Sequence, residues 1–239
     1  MALMEQWLPL IWPSARNCPV PVVYDHVRNA AEEFCKRTRA WRFRATLEMS
    51  TVTGGGGGGG GLPYVLPFAL GGSGGGGGTS TVVELYTPQT PPGTVVFELE
   101  KAFLNGTTEL CPVAYEDHSP EEWALESTPR EICQVVPGGF ILYGRGDGNG
   151  QLMLSLFLKP DSGNAPFDLE LPDWMFQSFG RLIADGALAR ILALPEKNWT
   201  NPETAAHHLA RFEAGCDRNF ALNRRGQQRA PIRTRPRFI

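Results

Sequence analysis

A chain of 239 residues with 42% hydrophobic and 20% charged side chains lies in the ordinary globular range, which excludes wholesale disorder and allows one large domain or two small ones. No apolar run approaches the roughly 18 residues that a membrane span requires, and residues 1–13 lack a basic region followed by an apolar signal core, so the chain is expected to be soluble and not secreted. The net charge of -3 conceals an asymmetry: residues 218–239 carry seven arginines and no acid, leaving 15 basic against 25 acidic residues over 1–217, a balance of about -10.

Ahead of the first long helix, Trp7, Leu8, Leu10, Ile11 and Trp12 form a short apolar segment, read as a helical turn on the same core. The helix is predicted over residues 21–39. Val23, Val27, Ala30, Ala31, Phe34 and Thr38 recur there at three- and four-residue steps, and Pro19 and Pro21 suit its entrance. The period then changes to two: Trp41, Phe43, Ala45, Leu47 and Met49 alternate with Arg42, Arg44, Thr46, Glu48 and Ser50, the pattern of a half-buried strand.

Two polyglycine tracts, 54–61 and 71–78, flank the apolar stretch 62–70. Glycine loses the most conformational entropy on ordering, so both tracts are expected to be loops. Two readings of the stretch stand side by side. It is either an inserted loop without a role or an apolar tip presented to a partner through Leu62, Tyr64, Val65, Leu66 and Phe68.

Strand signals resume at 81–86 and 94–100, and strands at 102–104 and 107–111 flank the hairpin dipeptide Asn105-Gly106. A further pair, 140–143 and 151–158, flanks the glycine-rich 144–150. The visible connections are hairpins, and six or seven strands in an antiparallel sheet or small sandwich are expected. Pro172-Asp173 opens the next helix, with Trp174, Met175, Phe179, Leu182, Ile183, Leu188 and Ile191 as its apolar stripe and Gly186 as a bend. Asn201-Pro202 opens the last one, which places Ala205, Leu209, Phe212, Cys216 and Phe220 on one face and fades near Gly226.

The fold class is therefore α+β. Residues 1–40 and 166–225 form a helical core, 41–165 an inserted β-rich subdomain with the polyglycine loops, and 226–239 an extended basic tail.

No enzyme constellation stands out. The polyglycine tracts lack the Lys-Ser or Lys-Thr of a phosphate loop, and 144–150, despite its Arg-Gly-Asp triplet, lacks the later glutamate of a calcium loop. The five cysteines, Cys18, Cys35, Cys111, Cys133 and Cys216, show no CxxC pair and read as buried or idle thiols. Adjacent His207 and His208 point about 100° apart on a helix and cannot grip a metal together. His26 and His118 have no catalytic neighbour in sequence, and Glu32-Glu33, Glu116-Asp117 and Glu121-Glu122 read as solvated acidic faces. No catalytic residue, cofactor or metal is expected.

The tail is more informative. Arg224, Arg225, Arg229, Arg233, Arg235 and Arg237 are interleaved with Pro231, Ile232, Pro236, Phe238 and Ile239, too proline-rich and charged for a helix. Beside the reading of a merely disordered tail stand two functional ones: contact with nucleic-acid phosphates, or docking of an extended arginine-apolar strand into an acidic groove on another subunit. The apolar end favours docking.

With these residues in view, the chain resembles the head-to-tail adaptor (connector) proteins of podovirus-like tailed bacteriophages. The resemblance rests on Ala30-Ala31-Glu32-Glu33-Phe34-Cys35 with Thr38, Arg39 and Trp41; on Gly186-Ala187-Leu188-Ala189-Arg190 with Leu194-Pro195, Trp199, Asn201-Pro202 and Ala210-Arg211-Phe212; and on the stretch from Ala230-Pro231 to Phe238. It covers the two helical ends, about half of the chain; the strand region with its polyglycine departs from the pattern. It implies a non-enzymatic virion protein at the neck, assembled in the host cytoplasm as a homo-oligomeric ring, dodecameric, beneath the portal protein. Tail or nozzle proteins would bind it, DNA would pass through its channel, and no membrane is involved. The portal-docking segment would be Arg229, Pro231, Ile232, Arg233, Arg235, Arg237, Phe238 and Ile239. The alternative is an oligomeric nucleic-acid-binding protein that uses the same arginine tail.

Overall fold

The computed structural model describes residues 4–49, 86–114, 116, 129–143, 150–161, 163 and 171–224. Among them are four helices and six strands, an α+β fold. The chain folds as two compact units. The first is Met1–Trp41, Pro92–Thr94 and Leu158–Ile239, and the second is Arg42–Pro91 and Val95–Phe157. No helix among the described residues is long and apolar enough to cross a membrane.

The first unit is helical. A 3-10 turn, Met4–Trp7, leads into the short α1, Leu8–Ile11, and Trp7, Leu8 and Ile11 are buried while Trp12 stays exposed. The long α2, Val20–Thr38, buries the anticipated face: Val23, Val27, Ala30, Ala31, Phe34 and Thr38. It stops at Arg39, whose left-handed φ of 53° turns the chain while its N–H closes on the carbonyl of Cys35 at 2.9 Å. The freed carbonyl of Thr38 accepts a hydrogen bond from Asn223 Nδ2 at 2.8 Å, so a buried amide near the end of the chain caps a helix near its beginning.

Helix α3, Asp173–Leu192, packs on α2 and on α4, Pro202–Arg224. The Asn201 side chain caps α4, accepting from the N–H of Thr204 at 3.1 Å. Gly186 lies inside the unbroken α3 and serves a close approach, not a helix break. A Cβ there would stand 2.8 Å from two ring carbons of Phe212 and 3.1 Å from the Cβ of Ala30, so α2, α3 and α4 meet at this glycine. On α4, Leu209 departs from the expected apolar face and is 47% exposed, while Ala205, Phe212 and Cys216 are buried. Arg224 closes α4, so the extended tail does not begin before it.

Glu32 also departs from expectation. Lys36 and Lys159 both reach its Oε1 at 2.7 Å. Burial pushes its carboxyl pKa up, but the two lysine hydrogen bonds outweigh that and hold it below the ordinary range. It is a clamped carboxylate and not part of a solvated face.

The second unit holds the sheet apart from Thr94 and residues 158–160: β1 Arg42–Met49, β2 Thr94–Leu104, β3 Thr108–Pro112, β4 Glu131–Val136, β5 Gly139–Tyr143 and β6 Gly150–Pro160, in the order β1-β6-β2-β3-β4-β5. β1 and β6 are antiparallel in unbroken register from Arg42 opposite Phe157 to Met49 opposite Gly150. Residues 94–100 and 102–104, expected as separate strands, are one strand. Asn105 and Gly106 make the β2–β3 turn with φ of 52° and 70°, closed by a hydrogen bond from Thr107 N–H to Leu104 O at 3.2 Å.

Three expectations for the sheet are corrected. It is mixed and not wholly antiparallel, because β3 and β4 run parallel, Cys111 opposite Glu131. The connection from residue 113 to 130 exceeds the dozen or so residues that a parallel crossover needs, whereas a hairpin would not. Strand β4 has no counterpart among the expected strands; it forms a hairpin with β5 through Pro137-Gly138, where Gly138 takes the φ of 80° that a proline-glycine turn requires. Finally, of the two forms expected, the six strands take that of a single sheet, but the strands either side of 144–150, expected as a pair, are not neighbours in it. The polyglycine tracts, the apolar tip with Leu62, Tyr64, Val65, Leu66 and Phe68, the residues 81–85, His118, Asp117 and Glu121-Glu122, and the tail 226–239 lie outside the described residues.

Candidate groove between the last two helices

Helices α3 and α4 are joined by the loop 193–201 and run antiparallel, as the pairing of Asp185 with Arg211 and of Leu182 with Gly215 shows. Gly215 sets their closeness. A Cβ there would overlap the methyl groups of Leu182, which would have to shift, so glycine lets Leu182 lie against the α4 backbone as it stands. Beside this contact opens a groove of about 530 Å³. Its floor is Phe179, Leu182, Ala214 and Gly215; its rim carries Arg181, Arg211 and Arg218.

The spacing explains why the arginines converge. Arg181 stands on the face of α3 that also bears Ser178 and Asp185, and Arg211, Ala214, Gly215 and Arg218 recur at three- and four-residue steps on α4. Asp185 is only 5% exposed, and its two oxygens are divided: Oδ1 lies 2.8 Å from Nδ1 of His208, where an Nδ1–H donates to it, and Oδ2 lies 3.2 Å from Arg211. The carboxylate thus orients Arg211. Arg181 and Arg218 make no ion pair with any described residue, and both are exposed. Three guanidinium groups against one committed carboxylate leave an excess of positive charge over an apolar floor, a setting for an anion that also carries apolar side chains.

Replacing Asp185 with alanine is expected to destabilise the protein by about 1–3 kcal/mol, because His208 and Arg211 lose a buried acceptor. Arg211→Ala, truncating a half-exposed partner, should cost less than about 1 kcal/mol. Urea denaturation midpoints at constant slope check both.

A second concavity, about 740 Å³, lies on the sheet and includes Arg42, Arg44, Phe103 and Met153. Its charges are more nearly balanced. Arg42 pairs with Glu100 at 3.1 Å, Ser155 donates to the same carboxylate at 2.8 Å, and Lys101 pairs with Glu109 at 3.5 Å.

The titratable groups in the helical core point to packing. His26 has a buried Nδ1 without a hydrogen-bond partner; desolvation pushes its pKa down, Asp25 opposes this and Arg190 adds to it. Cys18, Cys35, Cys133 and Cys216 are buried and Cys111 is exposed on β3. Burial raises the Cys18 and Cys35 thiols and lifts Cys216 to about 11. A thiol reagent at neutral pH should therefore modify Cys111 alone in the folded protein and the other four only after denaturation, which intact-mass spectrometry reads directly.

The sequence pattern reveals the helices but not the groove. In the sequence Arg218 reads as part of the basic tail, and Arg181, Asp185 and Gly215 carry no expected role. The signal available is the three- and four-residue recurrence of Arg181-Asp185 and Arg211-Arg218 on neighbouring helices. Of the residues expected to meet partners, both the apolar tip and the docking tail fall outside the described residues. No protein-family model matches this chain, and no curated protein matches it.

Proposed function

We propose that this chain is a structural, non-catalytic subunit of the head-to-tail adaptor ring of a tailed bacteriophage, joining the portal to the tail and surrounding the passage of DNA. The reading is carried by one convergence. Residues from the three separate segments that bear the adaptor resemblance, Ala30 on α2, Gly186 on α3 and Phe212 on α4, meet at a single junction of the helical unit. Ala31, Phe34, Cys35 and Thr38 on α2 and Ala187, Leu188 and Ala189 on α3 are buried in the same unit. These matches therefore serve one packed core, which is what a shared fold requires and a chance scatter of small residues does not.

Two further features support it. The arginine-rich segment follows α4 in the sequence and combines basic with apolar side chains, as a docking segment would, and the acidic balance of the remainder suits a channel through which DNA slides without sticking. Identical contacts repeated around a ring convert modest affinity per subunit into tight attachment.

The test is electron cryomicroscopy of the full chain mixed with its cognate portal. A closed ring seated on the portal, with density for the C-terminal segments in portal grooves, is the expected result. A monomer that ignores the portal and binds DNA at low salt overturns it in favour of a nucleic-acid-binding protein.

A further inference from the structure

We propose that the α3–α4 groove receives the acidic segment 116–126 of a second copy of this chain, and so forms a subunit contact of the ring proposed above, on which this inference rests. Two properties of the groove select such an occupant. Arg181 and Arg218 stand exposed on its rim without a carboxylate partner among the described residues, and Asp185 holds Arg211 beside them. Below them the floor is apolar: Phe179, Leu182 and Ala214. On the same two helices Trp174, one turn before Ser178, and Leu222, one turn after Arg218, are both 37% exposed.

An occupant must therefore bring carboxylates for the rim and apolar side chains for the floor. Residues 116–126 read Glu-Asp-His-Ser-Pro-Glu-Glu-Trp-Ala-Leu-Glu. Five acids and no lysine or arginine accompany Trp123 and Leu125, and Glu122 and Glu126 are separated by four residues, as are Ala214 and Arg218 on the receiving helix. This chemistry complements the groove in both charge and apolar character. A DNA duplex would satisfy the arginines and leave Phe179 and Leu182 facing phosphates, so the floor favours a protein segment. Guanidinium forks recognise carboxylates through paired N–H donors, which gives the contact a defined register.

The experiment is fluorescence anisotropy of a labelled peptide of residues 114–128 titrated with the full-length protein, alongside a labelled short DNA duplex. Saturable peptide binding that Arg181→Glu and Arg218→Glu each weaken at least about tenfold is expected, since a like charge then faces the carboxylates. Arg44→Glu on β1 should leave it unchanged. A peptide carrying Glu121→Arg and Glu122→Arg should regain affinity for the doubly substituted Arg181→Glu, Arg218→Glu protein, a result that a misfolded variant cannot give. Circular dichroism of each variant confirms its helices. No saturation up to about 1 mM, equal binding to the variants, or a groove-dependent affinity for the duplex in place of the peptide overturns the proposal. Deleting residues 229–239 should leave peptide binding intact, so failure of the groove and failure of portal attachment are read separately.

Discussion

Truncating Phe212 to alanine is expected to cost about 3–5 kcal/mol. Phe212 is 1% exposed on α4 and fills the space over Gly186, where α2 and α3 also approach. Its removal deletes transfer free energy and leaves a cavity that three helices must collapse to close. The guanidinium of Arg190, 6.0 Å from the ring centroid, loses its aromatic face as well. Gly186→Ala should destabilise the wild-type protein by about 1–3 kcal/mol despite alanine's better helix propensity, because the new Cβ meets ring carbons at 2.8 Å. In the Phe212→Ala background that clash is gone, and the same substitution should be neutral or stabilising. A double-mutant cycle by urea denaturation therefore returns a coupling above about 1 kcal/mol. Additive effects would mean that the two positions do not share the junction.

The same junction explains what could be read from the sequence. Helices α2, α3 and α4 are visible in it because each buries one stripe, and a stripe repeats at the period of the element that carries it. Their ends are visible because Pro21, Asn201 and Pro202 act within one turn of themselves. Gly186 is different: a glycine in a helical pattern reads locally as a break, and only the arrival of Phe212 and Ala30 from distant segments turns it into a contact. Strand β4 escapes notice although Val135 and Val136 precede Pro137-Gly138, because Glu131, Cys133 and Gln134 break the apolar alternation and one of its two neighbours, β3, is parallel and lies across a long connection. The groove is illegible for the same reason. Arg181 and Arg218 lie 37 positions apart in the sequence, and nothing local distinguishes them from solvated charges until Gly215 lets the two helices close.

If the proposed adaptor role holds, removing residues 229–239 should leave the fold untouched and abolish attachment to the portal. The last described side chain that ties α4 to the rest of the helical unit is Asn223, 6% exposed and bonded to the carbonyl of Thr38, and it precedes the deletion. The melting temperature should therefore stay within about a degree of the full-length value, since no described contact is lost. Attachment is another matter, because each subunit of the ring proposed above would offer the same segment and the loss would be multiplied around it. Co-sedimentation with portal should be weakened at least about a hundredfold. Point substitutions then separate the two ways in which the segment can bind. If Phe238 and Ile239 seat in a groove on the portal, Phe238→Ala and Ile239→Ala should weaken attachment as much as Arg233→Ala and Arg235→Ala do, and salt should matter little. If the segment binds phosphates, only the arginines should count, and affinity should fall steeply and linearly on a logarithmic salt scale. Portal binding retained by the truncated protein would remove the segment from the docking role altogether.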